Sequence, residues 1–374
     1  MNWTPVWHQA ITRPFAMGML IGEKRTVVFR INAYADGTKM RIRFRNIYGQ
    51  EPYEIGEIRI INGDSAYPIT KDGERHFFVP VGEIVYTDEC PVNIKAGDEL
   101  EVRLYYVNKI QDNNMTEEEA RLYEGNHCGD LELPEIQRES YKEEYGLYDS
   151  VPSMDQIELW TEQPARVIAA FGDSITAMNR WVKPLQKRLF DRYGTKYALM
   201  NAGISGNCLL HEGTDMMTLS FGQKGVDRFE RDVLAFENLD TVILALGVND
   251  VAYFTDDTKD YLNYDAYVSA ITSMTETLHQ RGVRVVMQTL SPRKGYPEAE
   301  YTPQMEELRL QINDWIRSCG LFDYMFDADA VVRDPDRPDC YNDRYHQGDH
   351  LHPSQVGGDA LAAAYDLEQL TGEK

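Results

Sequence analysis

The stretch Val167–Trp181, VIAAFGDSITAMNRW, carries an apolar run into Gly172-Asp173-Ser174 and on into a polar segment. An apolar strand that stops at a glycine and presents a serine is one way in which a sheet exposes a nucleophile at its edge. The same letters also make a helix start, because Asp and Ser are good N-cap residues. Three more polar clusters recur downstream: Gly203-Ile204-Ser205-Gly206-Asn207, Gly247-Val248-Asn249-Asp250, and GDHLHP over Gly348–Pro353. Together they offer the side-chain types needed for nucleophilic attack, proton transfer and stabilisation of developing negative charge. Taken singly, each has a plain structural use. Gly206 and Gly247 could be turn glycines, Asn249-Asp250 a helix cap, and His352 the residue that enters a helix behind Pro353. It is their convergence that favours chemistry.

The surrounding pattern brings about that convergence. After Pro164 the chain alternates between apolar strands and helices: RVIAAFGDS, a helix near Arg180–Tyr193, YALMNAGISGN, DTVILALGVNDV, a helix over Tyr264–Arg281, VRVVMQTLSP, a helix over Gln304–Gly320, YMFDADAVV, and a last helix from Ser354. Near-continuous Val/Ile/Leu strands between helices predict a parallel sheet covered on both faces, a three-layer α/β/α arrangement. In such a sheet the ligand site lies off the carboxyl ends of the strands, where all of these clusters fall. Before Pro164 the period is two. Met40, Ile42 and Phe44 alternate with Arg41, Arg43 and Arg45, which predicts strands with one buried and one wet face. Turn pairs such as Asp36-Gly37, Asp72-Gly73 and Gly97-Asp98 punctuate the runs at intervals suited to an antiparallel sandwich or jelly roll. An acidic stretch from Asn108 to about Gln156 holds one helix-like piece, MTEEEARLYEG, and IELWTE at Ile157–Glu162 reads as a strand closing the same sheet. The expected organisation is a β-sandwich over residues 1–163 and an α/β domain over 164–374.

GDSI, a Gly-Asn loop, GxND and DxxHP in this order resemble the SGNH/GDSL hydrolases, whose likeness extends over the whole second half. The resemblance implies a flavodoxin-like catalytic domain with Ser174 as nucleophile and Asp349 and His352 completing the triad. It implies an oxyanion hole built from the Ser174 amide, Gly206 and Asn249. The sandwich, with MRIRFRNIYG, also resembles the amino-terminal domain of a subset of these enzymes, many of them tied to acetylated plant polysaccharides. The residue types suit the implied roles. A serine hydroxyl needs a base to take its proton, which a neutral imidazole can do, and a carboxylate three residues before the histidine can hold the other ring nitrogen. Asp173 and Asp250 then fall to bracing the loops. The substrate implied is a short-chain ester, an acetylated xylo- or manno-oligosaccharide, with a longer-chain lipase or thioesterase activity as the alternative.

A rival lies in HQGDHLH, where His346, Asp349, His350 and His352 are metal-ligand types within seven residues. A metal-activated water would need no serine, but no second His/Asp/Cys cluster offers further ligands. No metal or organic cofactor is therefore expected. His8, His76, His127, His211 and His279 stand alone and are expected at the surface or in packing. The aromatic residues of the first half, among them Trp3, Trp7, Tyr34, Tyr48, Tyr53, Tyr86, Tyr105 and Tyr106, could stack sugars, but strand aromatics more often fill a core. The loops Gly213–Gly225 and Val251–Tyr261 are expected to shape the acyl and leaving-group pockets.

A formal net charge of −23 disfavours nucleic acid or an anionic membrane as partner, since both are bound through clustered Lys and Arg. No stretch approaches the ~18 apolar residues of a membrane span. The five cysteines are odd in number and widely spaced, which suits a reducing compartment rather than a disulfide framework. With no basic-then-apolar leader at MNWTPVWHQA, a cytoplasmic location is expected, and the chain could still form a homo-oligomer.

Overall fold

A computed structural model describes residues 2–13, 23–108, 120–134, 153–213, 218–252, 263–298 and 300–373. Much of the acidic stretch (109–119 and 135–152), and 214–217 and 253–262 of the two pocket loops, lie outside the described residues. The chain divides into two compact units, Met1–Ala165 with Thr214–Gly222, and Arg166–Gly213 with Gln223–Lys374.

The first unit holds strands β1 (Trp3–His8), β2 (Arg25–Asn32), β3 (Gly37–Arg45), β4 (Tyr53–Asn62), β5 (Ser65–Ile69), β6 (Phe77–Val79), β7 (Ile84–Tyr86), β8 (Cys90–Ile94), β9 (Glu99–Tyr106), β10 (Arg121–Glu124) and β11 (Met154–Trp160). One sheet runs β1-β11-β3-β7 with β8 also on β3, and the other runs β10-β2-β9-β4-β5 with β6 also on β4. Met40, Ile42 and Phe44 of the first sheet share a core with Ile58, Ile60 and Val102 of the second. Burying those alternating side chains makes the two sheets a sandwich.

Two expectations need correction here. Arg43 and Arg45 do not face water. Both are buried, and both reach Asp155 of β11, Arg43 through bonds of 2.7 to 3.1 Å. Alternation reveals which residues share a face but not whether that face is dry, and the carboxylate on the adjoining strand keeps these buried guanidiniums paired. The piece MTEEEARLYEG is not helical over its described part: Arg121–Glu124 forms β10, antiparallel to Arg25–Val28. Backbone pairing at the sheet edge outweighs the local helix propensity of those residues.

The second unit is a parallel sheet of β12 (Arg166–Gly172), β13 (Tyr197–Asn201), β14 (Leu239–Ala245), β15 (Arg284–Gln288) and β16 (Tyr324–Phe326), ordered β13-β12-β14-β15-β16. Successive residues of β12 feed opposite faces. Ala169 and Phe171 pack with Tyr267, Ile271 and Ile312 of helices Tyr264–Gln280 and Pro303–Ser318, whereas Ile168 and Ala170 pack with Leu185 and Leu361 of helices Val182–Tyr193 and Gln355–Ala364. Two apolar layers explain why these strands read as unbroken hydrophobic runs. The three-layer α/β/α unit, preceded by the antiparallel sandwich, is the fold expected from the sequence.

Local chemistry sets the helix starts. Asn263 accepts from the amide of Ala266, Thr302 from that of Met305 with Pro303 in the first turn, and Ser354 from that of Gly357. The segment YMFDADAVV, expected to supply a strand, is the short β16 followed by an unexpected helix over Ala328–Val332, whose start Asp327 caps by accepting the Ala330 amide. A short helix at Gly225–Phe229, continued by a π turn over Glu230–Leu234, was not expected at all.

Candidate active site

The strand order places the reversal of winding between β12 and β14, the position at whose carboxyl ends α/β sheets bind their ligands. Ser174 follows the end of β12, and Asn249 follows the end of β14. Gly172 is the last residue of β12, and a Cβ there would lie 2.0 Å from Thr176 Oγ1, so the position requires glycine. Asp173 then caps the helix Ser174–Ala177 by accepting the Ile175 amide at 3.0 Å. Ser174 thus stands in the first helical turn, where the backbone N–H has no intrahelical acceptor.

Three of the residues singled out in the sequence form one hydrogen-bonded chain. His352 Nε2 lies 2.8 Å from Ser174 Oγ, and His352 Nδ1 lies 2.7 Å from Asp349 Oδ2. Asp349 is further fixed by the amides of Leu351 and His352 on Oδ1 and by Gln347 Nε2 on Oδ2. Burial would raise its affinity for protons, but the hydrogen bonds from His352 and Gln347 prevail and hold the carboxyl well below the usual carboxylate range. It therefore stays ionised beside the imidazole. Ser174 and His352 are themselves buried, which shields their hydrogen bond from competing water.

The remaining loops are stitched to this chain. The Ile204 amide donates to the Gly172 carbonyl, and Asn249 Nδ2 donates to the Asn207 carbonyl at 3.0 Å, one residue beyond Gly206. Gly206, at φ +74°, and Gly247, at φ +132°, both occupy the left-handed region that favours glycine, so the structural use of each residue is real. At Gly247 a Cβ would also meet the Tyr267 ring at 2.6 Å. Asp250 accepts the amides of Leu209 and Leu210, each at 2.8 Å, and so ties the second loop to the third. Burial raises its pKa to about 6 and that of Asp173 to about 7.

Two contributors escaped sequence reasoning. Arg228 is fully buried and donates to the carbonyls of Gly172 and Ala202 and to Asn207 Oδ1, each at 2.9 Å, with Asp232 as its counter-charge. It clamps the ends of β12 and β13 and the second loop. The only sequence signal is Asp232 four residues on. Tyr296 sets its ring edge-to-face 5.8 Å from the His352 imidazole and offered no motif.

The candidate metal stretch divides. Asp349 and His352 belong to the hydrogen-bonded chain, whereas His346 and His350 lie beside Asp343, with one ligand-type atom from each of the three within 4.8 Å of the others. Among the described residues no helix is long and apolar enough to cross a membrane.

The GDSL-like Lipase/Acylhydrolase family matches residues 170–360. No curated protein matches the chain. Among solved structures it is similar to a GDSL-like lipase from Bacteroides thetaiotaomicron, at 23% identity and TM-score 0.39, covering 56% of this chain and 88% of that one. It is also similar to an acetyl xylan esterase from Geobacillus stearothermophilus, at 20% identity and TM-score 0.41, covering 55% and 94%. The family match takes in just over half of the chain, including Ser174, Gly206, Asn249, Asp349 and His352: the protein belongs to the GDSL-like lipase/acylhydrolase family.

Proposed function

We propose that the protein hydrolyses short-chain esters, chiefly acetyl esters of oligosaccharides, through an acyl-enzyme on Ser174. The observation that carries this reading is the Asp349–His352–Ser174 chain, with bonds of 2.7 and 2.8 Å. The Ser174 hydroxyl donates to His352 Nε2, which takes the proton as Oγ attacks the ester carbonyl. Asp349 accepts the Nδ1–H of the imidazole and stabilises the imidazolium. His352 then passes the proton to the leaving alcohol, and a water activated by the same nitrogen releases the acid.

The charge that develops on the carbonyl oxygen falls to the Ser174 and Gly206 amides and the Asn249 carboxamide. An asparagine amide has two N–H groups, so donation to the Asn207 carbonyl leaves one for the oxyanion. The ester class rests on the resemblance of the paired architecture, sandwich then hydrolase, to enzymes tied to acetylated plant polysaccharides. Five free cysteines fit a reducing, cytoplasmic setting in which short imported oligosaccharides are the substrates.

The test is hydrolysis of p-nitrophenyl acetate, butyrate and octanoate, followed by acetylated xylo- and manno-oligosaccharides, with Ser174→Ala as control. Preference for acetate and loss of all activity in the variant are expected. Preference for octanoate would move the substrate to longer acyl chains.

A further inference from the structure

We propose that His346 is a positioning residue for the acid of the triad, holding Asp349 in place by accepting the two backbone N–H groups that flank it. His346 Nδ1 lies 2.9 Å from the Gly348 amide and 3.1 Å from the His350 amide, the residues on either side of Asp349. Both flanking residues are in the left-handed region, Gly348 at φ +111° and His350 at φ +64°. For a residue other than glycine that conformation is uncommon, and at His350 the bond from its amide to His346 helps fix it. The oxygens of Asp349 are committed to Leu351, His352 and Gln347, so the acceptor that gathers Gly348 and His350 comes from outside the carboxylate. The ends of the loop are closed by a bridge between His346 and Pro353 and by the Gln347 amide on the His352 carbonyl at 2.9 Å. His346 is therefore the hub around which the chain turns to present Asp349 to His352.

The same hydrogen bonds decide against a cation at Asp343, His346 and His350. A neutral imidazole has one nitrogen with a lone pair and one with a proton. Accepting two amides places the lone pair on Nδ1, so Nε2 carries the proton, 3.5 Å from Asp343 Oδ1 in a side chain only 7% exposed. A metal on Nε2 would need the opposite tautomer, with Nδ1 as a donor.

The inference rests on the proposed triad of Ser174, His352 and Asp349, and the test separates the two. Asparagine places its Oδ1 where Nδ1 of histidine sits and closes the same turn, whereas glutamine carries its acceptor one carbon too far. kcat and KM for p-nitrophenyl acetate are measured for wild type, Ser174→Ala, His346→Ala, His346→Asn and His346→Gln, with and without chelator or added zinc. His346→Ala and His346→Gln are expected to lower kcat by about 10- to 100-fold with KM within about twofold, as a displaced catalytic group does. His346→Asn should recover kcat to within about threefold of wild type, and neither chelator nor zinc should alter any of them. Wild-type kcat in His346→Ala, an asparagine variant no better than glutamine, or activity lost to chelator would each overturn the assignment. Should His346→Ala not fold, the Asn and Gln variants decide between these outcomes. Activity surviving Ser174→Ala would instead sink the triad itself.

Discussion

His352 Nε2 stands 2.8 Å from Ser174 Oγ although 178 residues separate them in the chain. The proposed triad requires the other ring nitrogen to be held as an N–H donor, and Asp349 Oδ2 lies 2.7 Å from it. Asp349→Asn keeps the shape but favours the wrong tautomer of the imidazole. The expected loss in kcat is about 10³- to 10⁴-fold, read from steady-state hydrolysis of p-nitrophenyl acetate. A loss of less than about tenfold would show that the carboxylate does not serve the histidine.

Asn249 donates to the Asn207 carbonyl with one N–H, and the proposed oxyanion takes the other. Asn249→Ala should therefore lower kcat by about 100- to 1000-fold and leave KM nearly unchanged, since the contact strengthens only as negative charge develops. A rise in KM at constant kcat would assign Asn249 to ground-state binding.

Asp173 carries a testable pH signature. Burial pushes its pKa to about 7, above the value of about 3.9 for an unfolded aspartate. The folded protein therefore binds that proton more readily than the unfolded chain. The resulting stability is fully present below about pH 4 and is lost as pH rises through about 7. Asp173→Asn stays neutral and keeps an oxygen for the Ile175 amide. Thermal unfolding should show the variant gaining on wild type from pH 5 to pH 8. A difference in Tm independent of pH contradicts this.

Arg228 joins the ends of two strands to the second loop, and its removal leaves the carbonyls of Gly172 and Ala202 without this donor and Asp232 without this counter-charge. Arg231 still pairs with Asp232 at 2.7 Å, so Arg228→Met is expected to cost about 1–3 kcal/mol in urea unfolding, the penalty for leaving buried acceptors without a donor. A cost under about 1 kcal/mol would mean that the clamp is dispensable.

What the sequence disclosed and what it hid have physical reasons. Ile168 to Phe171 is legible as a buried strand because both faces of β12 are apolar, and Gly172-Asp173-Ser174 stands out because it breaks that run at the sheet edge. Strand order was not legible, since nothing in β14 itself says that it lies on the far side of β12 from β13. Arg228 was invisible because most of its partners are backbone carbonyls and a loop side chain remote in sequence, and these leave no pattern of residue types. Arg43 and Arg45 misled because the period of two gives the face of a residue and not its cover. In YMFDADAVV the apolar flanks masked a cap at Asp327. Within the seven residues from His346 to His352, the three-residue spacing and the family resemblance already set Asp349 and His352 apart, and the structure joins them to Ser174. The part of His346 was not legible, because its partners are the backbone amides of Gly348 and His350.

The central claim, that Ser174 is the nucleophile, is tested most directly by intact-mass and peptide mass spectrometry after treatment with a fluorophosphonate. One adduct, located on Ser174, absent from Ser174→Ala and matched by loss of p-nitrophenyl acetate hydrolysis, is the predicted result. An unmodified Ser174, or a Ser174→Ala variant that still turns over the ester, would contradict the account.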